Sequence, residues 1–167
     1  MFPDLFQIPA QPGVKKVSIN ISPSFIPTVY FDFYKDGPTW KVYWILEKSS
    51  MDMVAIMREF ASSNDKGSDV YYRPDFRKAV IERTPVSSRV VEGDISLRLE
   101  KLCKDGLPQP AQKAEGLDGT TFEIEIDGFS DVYSFWSYLP EEWNFLKEII
   151  NPCVEYSGLD IKRYGCR

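Results

Sequence analysis

The chain has 167 residues, of which 43% are hydrophobic, 27% charged and 14% aromatic, and it carries a formal net charge of −5. That length suits one domain with a real core, and the negative charge is repelled by phosphate, which argues against nucleic acid as a partner. Histidine is absent, which removes the commonest general base and metal ligand, and no uncharged apolar run approaches the ~20 residues a membrane helix needs.

The first thirteen residues hold three prolines and a glycine and predict an extended segment lying over the surface. They lack a basic start and an apolar run, so they are not a secretory signal, and a cytoplasmic location is expected. From Val14 the period is two: Val17, Ile19 and Ile21 alternate with Lys16, Ser18 and Asn20, which predicts a strand over 14–22. Val29 to Tyr34 is β-branched and aromatic, and it ends at the turn signal Lys35-Asp-Gly-Pro38. Strands over 28–35 and 39–47 follow, joined as a hairpin. Met53, Val54, Met57 and Phe60 recur at helical spacing behind Ser50 and Asp52, predicting a helix over 51–62.

Asp69 to Thr84 mixes its signals. Val70-Tyr-Tyr72 reads as a short strand, Pro74 as a break, and Ala79-Val-Ile81 as a further strand. Val91, Ile95, Leu99 and Leu102 form an i, i+4 ladder, although Ile95, Leu97 and Leu99 also fit a strand. The ending Lys101-Leu-Cys-Lys-Asp-Gly106, with cations in the last turn and glycine at the stop, favours a helix over 87–104. A linker with two prolines runs over 107–116. Phe122, Ile124 and Ile126 then alternate with Glu123, Glu125 and Asp127 as a strand over 121–127, and 131–137 is its expected partner. Pro140-Glu-Glu-Trp143 opens a helix over 140–151. Trp143, Leu146, Ile149 and Ile150 are its buried stripe, and Asn151-Pro152 is its kink or end. The fold class expected is a single α+β domain, an antiparallel sheet with two to three helices packed on it.

Cys103, Cys153 and Cys166 have no metal-binding or redox spacing. The first two read as buried small hydrophobes and Cys166 as an exposed free thiol. Nucleophile–base pairs with histidine cannot exist, and no phosphate-cradling glycine loop occurs. No metal or cofactor is therefore expected, and no catalytic residue is assigned. Arg73, Arg77, Lys78 and Arg83, interleaved with Tyr71, Tyr72 and Phe76, read either as ordinary charged surface or as a small anion-binding patch.

Charge is concentrated at the other end. Between Glu115 and Asp160 there are eleven carboxylates and one cation, Lys147, so that segment carries −10. It is also rich in Phe, Trp and Tyr, unlike a disordered acidic tail. Glu123, Glu125 and Asp127 project from one strand face about 6–7 Å apart. They look equivalent, whereas acid–base chemistry wants carboxyls in contrasting environments. A folded, aromatic, one-signed surface instead suits a basic protein partner. The candidate contact residues are Glu123, Glu125, Asp127, Asp131, Glu141 and Glu142, with Tyr133, Trp136 and Tyr138 as aromatic anchors if exposed.

Leu117-Asp-Gly-Thr-Thr-Phe-Glu-Ile124, Tyr133-Ser-Phe-Trp136 and Pro140-Glu-Glu-Trp143-Asn-Phe-Leu146, running into an aliphatic helix, resemble an arrangement in small cytosolic bacterial proteins. These include immunity proteins that neutralise a toxin delivered by a neighbouring cell. The resemblance covers about residues 117–156 and brings no catalytic residues. It implies a non-enzymatic inhibitor whose partner is a basic toxin domain such as a nuclease. The alternatives are a structural or adaptor module of a cytosolic assembly and a carboxylate-dependent hydrolase.

Overall fold

Strand β1 (Val14–Pro23) is the centre about which the chain assembles in the computed structural model, which describes residues 5–66, 68–109, 119–136 and 138–166. It pairs on one side with β2 (Val29–Asp36), which pairs with β3 (Thr39–Leu46) and then β4 (Ser87–Val90). On its other side it pairs with β5 (Thr120–Ile126), followed by β6 (Tyr133–Trp136). The result is a six-stranded antiparallel sheet in the order β4-β3-β2-β1-β5-β6. The β2–β3 turn needs only Gly37 and Pro38 between the paired Asp36 and Thr39, and Gly37 takes the positive φ of +58° that this tight connection demands.

Alternation along the strands sorts side chains between two faces. Val17, Ile19, Ile21, Phe31, Phe33, Trp40, Val42, Phe122, Ile124, Ile126, Tyr133 and Phe135 point to the principal core. Packed against it are α3 (Gly93–Asp105), a 3₁₀ segment Glu141–Leu146, α4 (Lys147–Tyr156) and the short α5 (Ile161–Tyr164). On the opposite face α1 (Ser50–Phe60), a 3₁₀ turn Asp69–Tyr72 and α2 (Pro74–Glu82) build a second cluster with Ile45 and Tyr30. Leu5 and Phe6 insert into that cluster, and residues 7–13 continue from them as an irregular, mostly exposed segment into β1. No helix among the described residues is long and apolar enough to cross a membrane.

Several local expectations change. Residues 87–90 are not the first turn of a helix but an edge strand, paired through Lys41–Trp44. All four are exposed, so no hydrophobic alternation marked them. Pro74, read as a break, is the first-turn proline of α2, whose buried Phe76, Ala79 and Val80 fall at i, i+3 and i+4. Val70-Tyr-Tyr72 lies in the 3₁₀ turn rather than a strand. Pro152 does not end the helix: α4 continues to Tyr156, with Cys153 and Val154 beyond the proline packed in the core. The linker is described only to Gln109; residues 110–118, with Glu115 and Asp118, lie outside the described residues, as does Ser137.

Cys166 is buried, not exposed, because Asn151 clamps the chain end: its Oδ1 accepts from the Cys166 N–H at 2.8 Å and its Nδ2 donates to the Cys166 carbonyl at 3.4 Å. Burial pushes the Cys153 and Cys166 thiols up to about 12. A thiol reagent at pH 8 is therefore expected to modify half-buried Cys103 first and the other two only on unfolding. Prompt labelling of Cys166 in the native protein would contradict the Asn151 clamp.

Candidate protein-binding face

Among the described residues, the second face of the sheet is covered by helices over β2 and β3 but left open over β1, β5 and β6, where Glu123, Glu125 and Ser134 are exposed. The pairing register lays the polar side chains out in rows. Asp32, Ser18 and Glu125 lie opposite one another across β2, β1 and β5. One row further along, Tyr30, Asn20, Glu123 and Ser134 cross four strands. Trp136, half-buried, sits opposite Thr121 and diagonal to Glu123 on the same face.

Glu123 and Glu125 have no cationic partner among the described residues. Their field reaches inward. Burial, reinforced by the charges of Glu47 and Glu123, pushes the Tyr30 hydroxyl up to about 12. Asp32 is the one carboxylate of the face that is buried, and sequence reasoning passed over it. The available signal was a lone charge inside the aromatic strand Val29–Tyr34. Its Oδ1 accepts from the Ser18 hydroxyl at 2.6 Å, and Lys15 Nζ stands 3.8 Å from Oδ2.

Burial lifts the Asp32 carboxyl above its ordinary value of 3.8; Ser18 and Lys15 oppose the rise and Glu125 adds to it. The native state thus holds this proton more tightly than the unfolded chain. Asp32 is expected to favour folding at acid pH and to lose that contribution as pH rises from 3.8 through the raised native value. Melting curves of the wild type and Asp32→Asn across pH 3–7 test this, because the difference between them isolates Asp32 from carboxylates shifted the other way. The gap should move in favour of Asn as pH rises, and a flat gap would overturn the assignment.

Asp32 and Glu125 do not form a converging pair. They flank Ser18 two strand spacings apart, roughly 10 Å at the backbone, and Asp32 is engaged by Ser18. Asp127 is neutralised by Lys16 at 2.7 Å, with the bulge between Lys15 and Val17 re-aiming the chain beside it. Beyond it lies a cleft of about 310 Å³ whose walls include Lys15, Lys16, Glu125, Asp127, Phe129 and Asp131. Phe129 is placed by Gly106 at the end of α3: with φ +66° and its missing Cβ only 2.5 Å from the ring, only glycine fits there.

The remaining predicted residues are elsewhere. Glu141 and Glu142 begin the 3₁₀ segment whose Trp143 and Leu146 pack on the core face, so the sheet lies between them and Glu123/Glu125. Tyr133 points into the core, edge-on to Trp143 at 5.8 Å, and offers no ring to a partner. Tyr138 is exposed beyond the end of β6. Glu148 is paired with Arg98 and Asp160 with Arg163. The acidic segment thus divides, and Glu123 and Glu125 are its unpaired part on the open face. The basic cluster is largely spent internally: Arg73 binds Asp65 and Asp75, Arg83 binds Glu59, and Lys78 pairs with Glu82. No group of three or more potential metal ligands occurs among the described residues. No protein-family model, curated protein or solved structure matches this chain.

Proposed function

We propose that this chain is a non-enzymatic binding protein that captures a basic protein partner on the open β1–β5–β6 face, as an immunity protein does when it covers the active surface of a toxin. The supporting observation is the placement of Glu123 and Glu125, exposed and without cationic partners, beside the half-buried ring of Trp136. A sheet presents these charges from a fixed backbone, so little backbone ordering remains to be done on binding. A toxin that handles phosphate presents a basic surface, and opposite charge accelerates its capture. Glu141 and Glu142 extend the negative potential but belong to another side of the molecule.

The test is binding of the purified C-terminal domain of the protein encoded beside this chain, followed by calorimetry at rising salt and by assay of that domain's toxicity. A complex that weakens with salt and silences the domain is expected. A stable complex whose affinity is indifferent to salt, or no complex, would sink the reading. A salt-indifferent homodimer of this chain would favour the adaptor alternative.

A further inference from the structure

The loop joining β1 to β2, Ser24–Thr28, holds Phe25 in an arrangement that nothing within the described chain rewards. Its φ is +66°, the one positive value among the described non-glycine residues, and its side chain is 96% exposed. An L side chain with a Cβ is strained in that region, and a bulky ring is a poor choice there. An exposed ring also gains nothing from burial. Glycine or asparagine would satisfy the backbone better at this point.

Neighbouring residues force the conformation. Ser24 is fixed on one side: its N–H and hydroxyl both donate to the Gly119 carbonyl, at 2.8 and 2.9 Å, and its Oγ lies 3.1 Å from the Gly119 N–H. Ile26 packs against the principal core on the other side. The Tyr164 hydroxyl then donates to the Pro27 carbonyl at 2.8 Å, and Thr28 N–H donates to Glu47 at 3.2 Å. Pro23 and Pro27 bracket the loop with fixed φ. The chain is pinned at four points, and the ring between them is held outward.

We infer that Phe25 is a preorganised aromatic anchor, inserted into an apolar pocket on the same cationic partner protein that the open sheet face captures. The placement supports one continuous footprint. Pro23 pairs with Thr120, Thr121 with Trp136, and Glu123 follows one row further on. Phe25 and Trp136 therefore lie toward one end of the sheet, with Glu123 the nearer of the two unpaired carboxylates and Glu125, opposite Ser18, one row further away. Hot spots combine such rigid rings with surrounding charge, the ring supplying affinity and the carboxylates encounter rate. Commitment to a cationic protein rests on charge complementarity with Glu123 and Glu125, and thus on the function proposed above.

The experiment compares the wild type with Phe25→Gly, Phe25→Asn and the double variant Glu123→Lys/Glu125→Lys. Two readouts are taken: thermal unfolding, and binding to the purified C-terminal domain of the neighbouring-gene product. Relief of strain is expected to raise Tm of both Phe25 variants by about 2 °C. The same variants are expected to bind at least tenfold more weakly, chiefly through faster dissociation. A fall in Tm would show that the ring serves this fold and would overturn the inference. Wild-type affinity in the Phe25 variants, with weakened binding of the Glu123/Glu125 variant, would overturn it while leaving the proposed function standing. Failure of the wild type to bind overturns both.

Discussion

Replacing Trp143 with alanine is expected to destabilise the protein by about 3–5 kcal/mol. The indole is 1% exposed, lies edge-on to Tyr133 at 5.8 Å and Phe135 at 5.9 Å, and donates its Nε1–H to the Pro108 carbonyl at 2.7 Å. Alanine leaves a cavity and also removes the donor to the Pro108 carbonyl. It also unfastens two connections at once, since Trp143 joins the 3₁₀ segment to β6 and to the segment following α3. Native domains hold only about 5–15 kcal/mol in total, so the loss is a large fraction of stability. Denaturant titration should show a lower midpoint with an unchanged slope. Trp143→Phe retains most of the ring and should lose substantially less. A loss below about 1 kcal/mol for alanine would show that this part of the core collapses without leaving a cavity.

Reversal of Glu123 and Glu125 to lysine is expected to slow association with the basic partner about tenfold or more at low salt. Both side chains are exposed and unpaired among the described residues, so the substitution removes no ion pair from the native fold. Stability should change little, because β5 keeps its buried Phe122, Ile124 and Ile126. The difference should shrink as salt shortens the reach of the field. Reversal of Glu141 and Glu142, which lie on the other side of the sheet, should slow capture much less. Equal association rates for the wild type and the Glu123/Glu125 variant in stopped flow would exclude steering by this face. Equal effects from the two pairs would mean that overall charge, not the open face, governs encounter.

The parts of this fold that could be read from residue order are those in which burial follows a strict period. Val17, Ile19 and Ile21 in β1 and Phe122, Ile124 and Ile126 in β5 each carry one apolar face, and both strands occur where alternation places them. Residues 74–90 lacked such a signature. In α2 the helical set Phe76, Ala79 and Val80 is short and overlaps a β-like run, while β4 is exposed along its whole length. In β4 pairing with β3 decides the conformation, and backbone hydrogen bonds leave no mark on side-chain pattern.

The same division applies to the candidate site. Charge and composition alone identified an acidic, aromatic segment, because local charge is a sum over residues that needs no coordinates. They also settled that Glu123 and Glu125 share one face of β5, since alternation is a property of the extended chain itself. Which carboxylates face open solvent, which are cancelled by Lys16, Arg98 or Arg163, and which lie beyond the sheet depended on long-range packing. Asp32 joined the face only when β2 paired with β1, and Phe25 was driven outward only when Ser24 met Gly119, 95 positions away. Periodicity reports what one segment does with its own side chains. A surface is made by segments distant in sequence, and their meeting is set by the register and layering of the assembled chain.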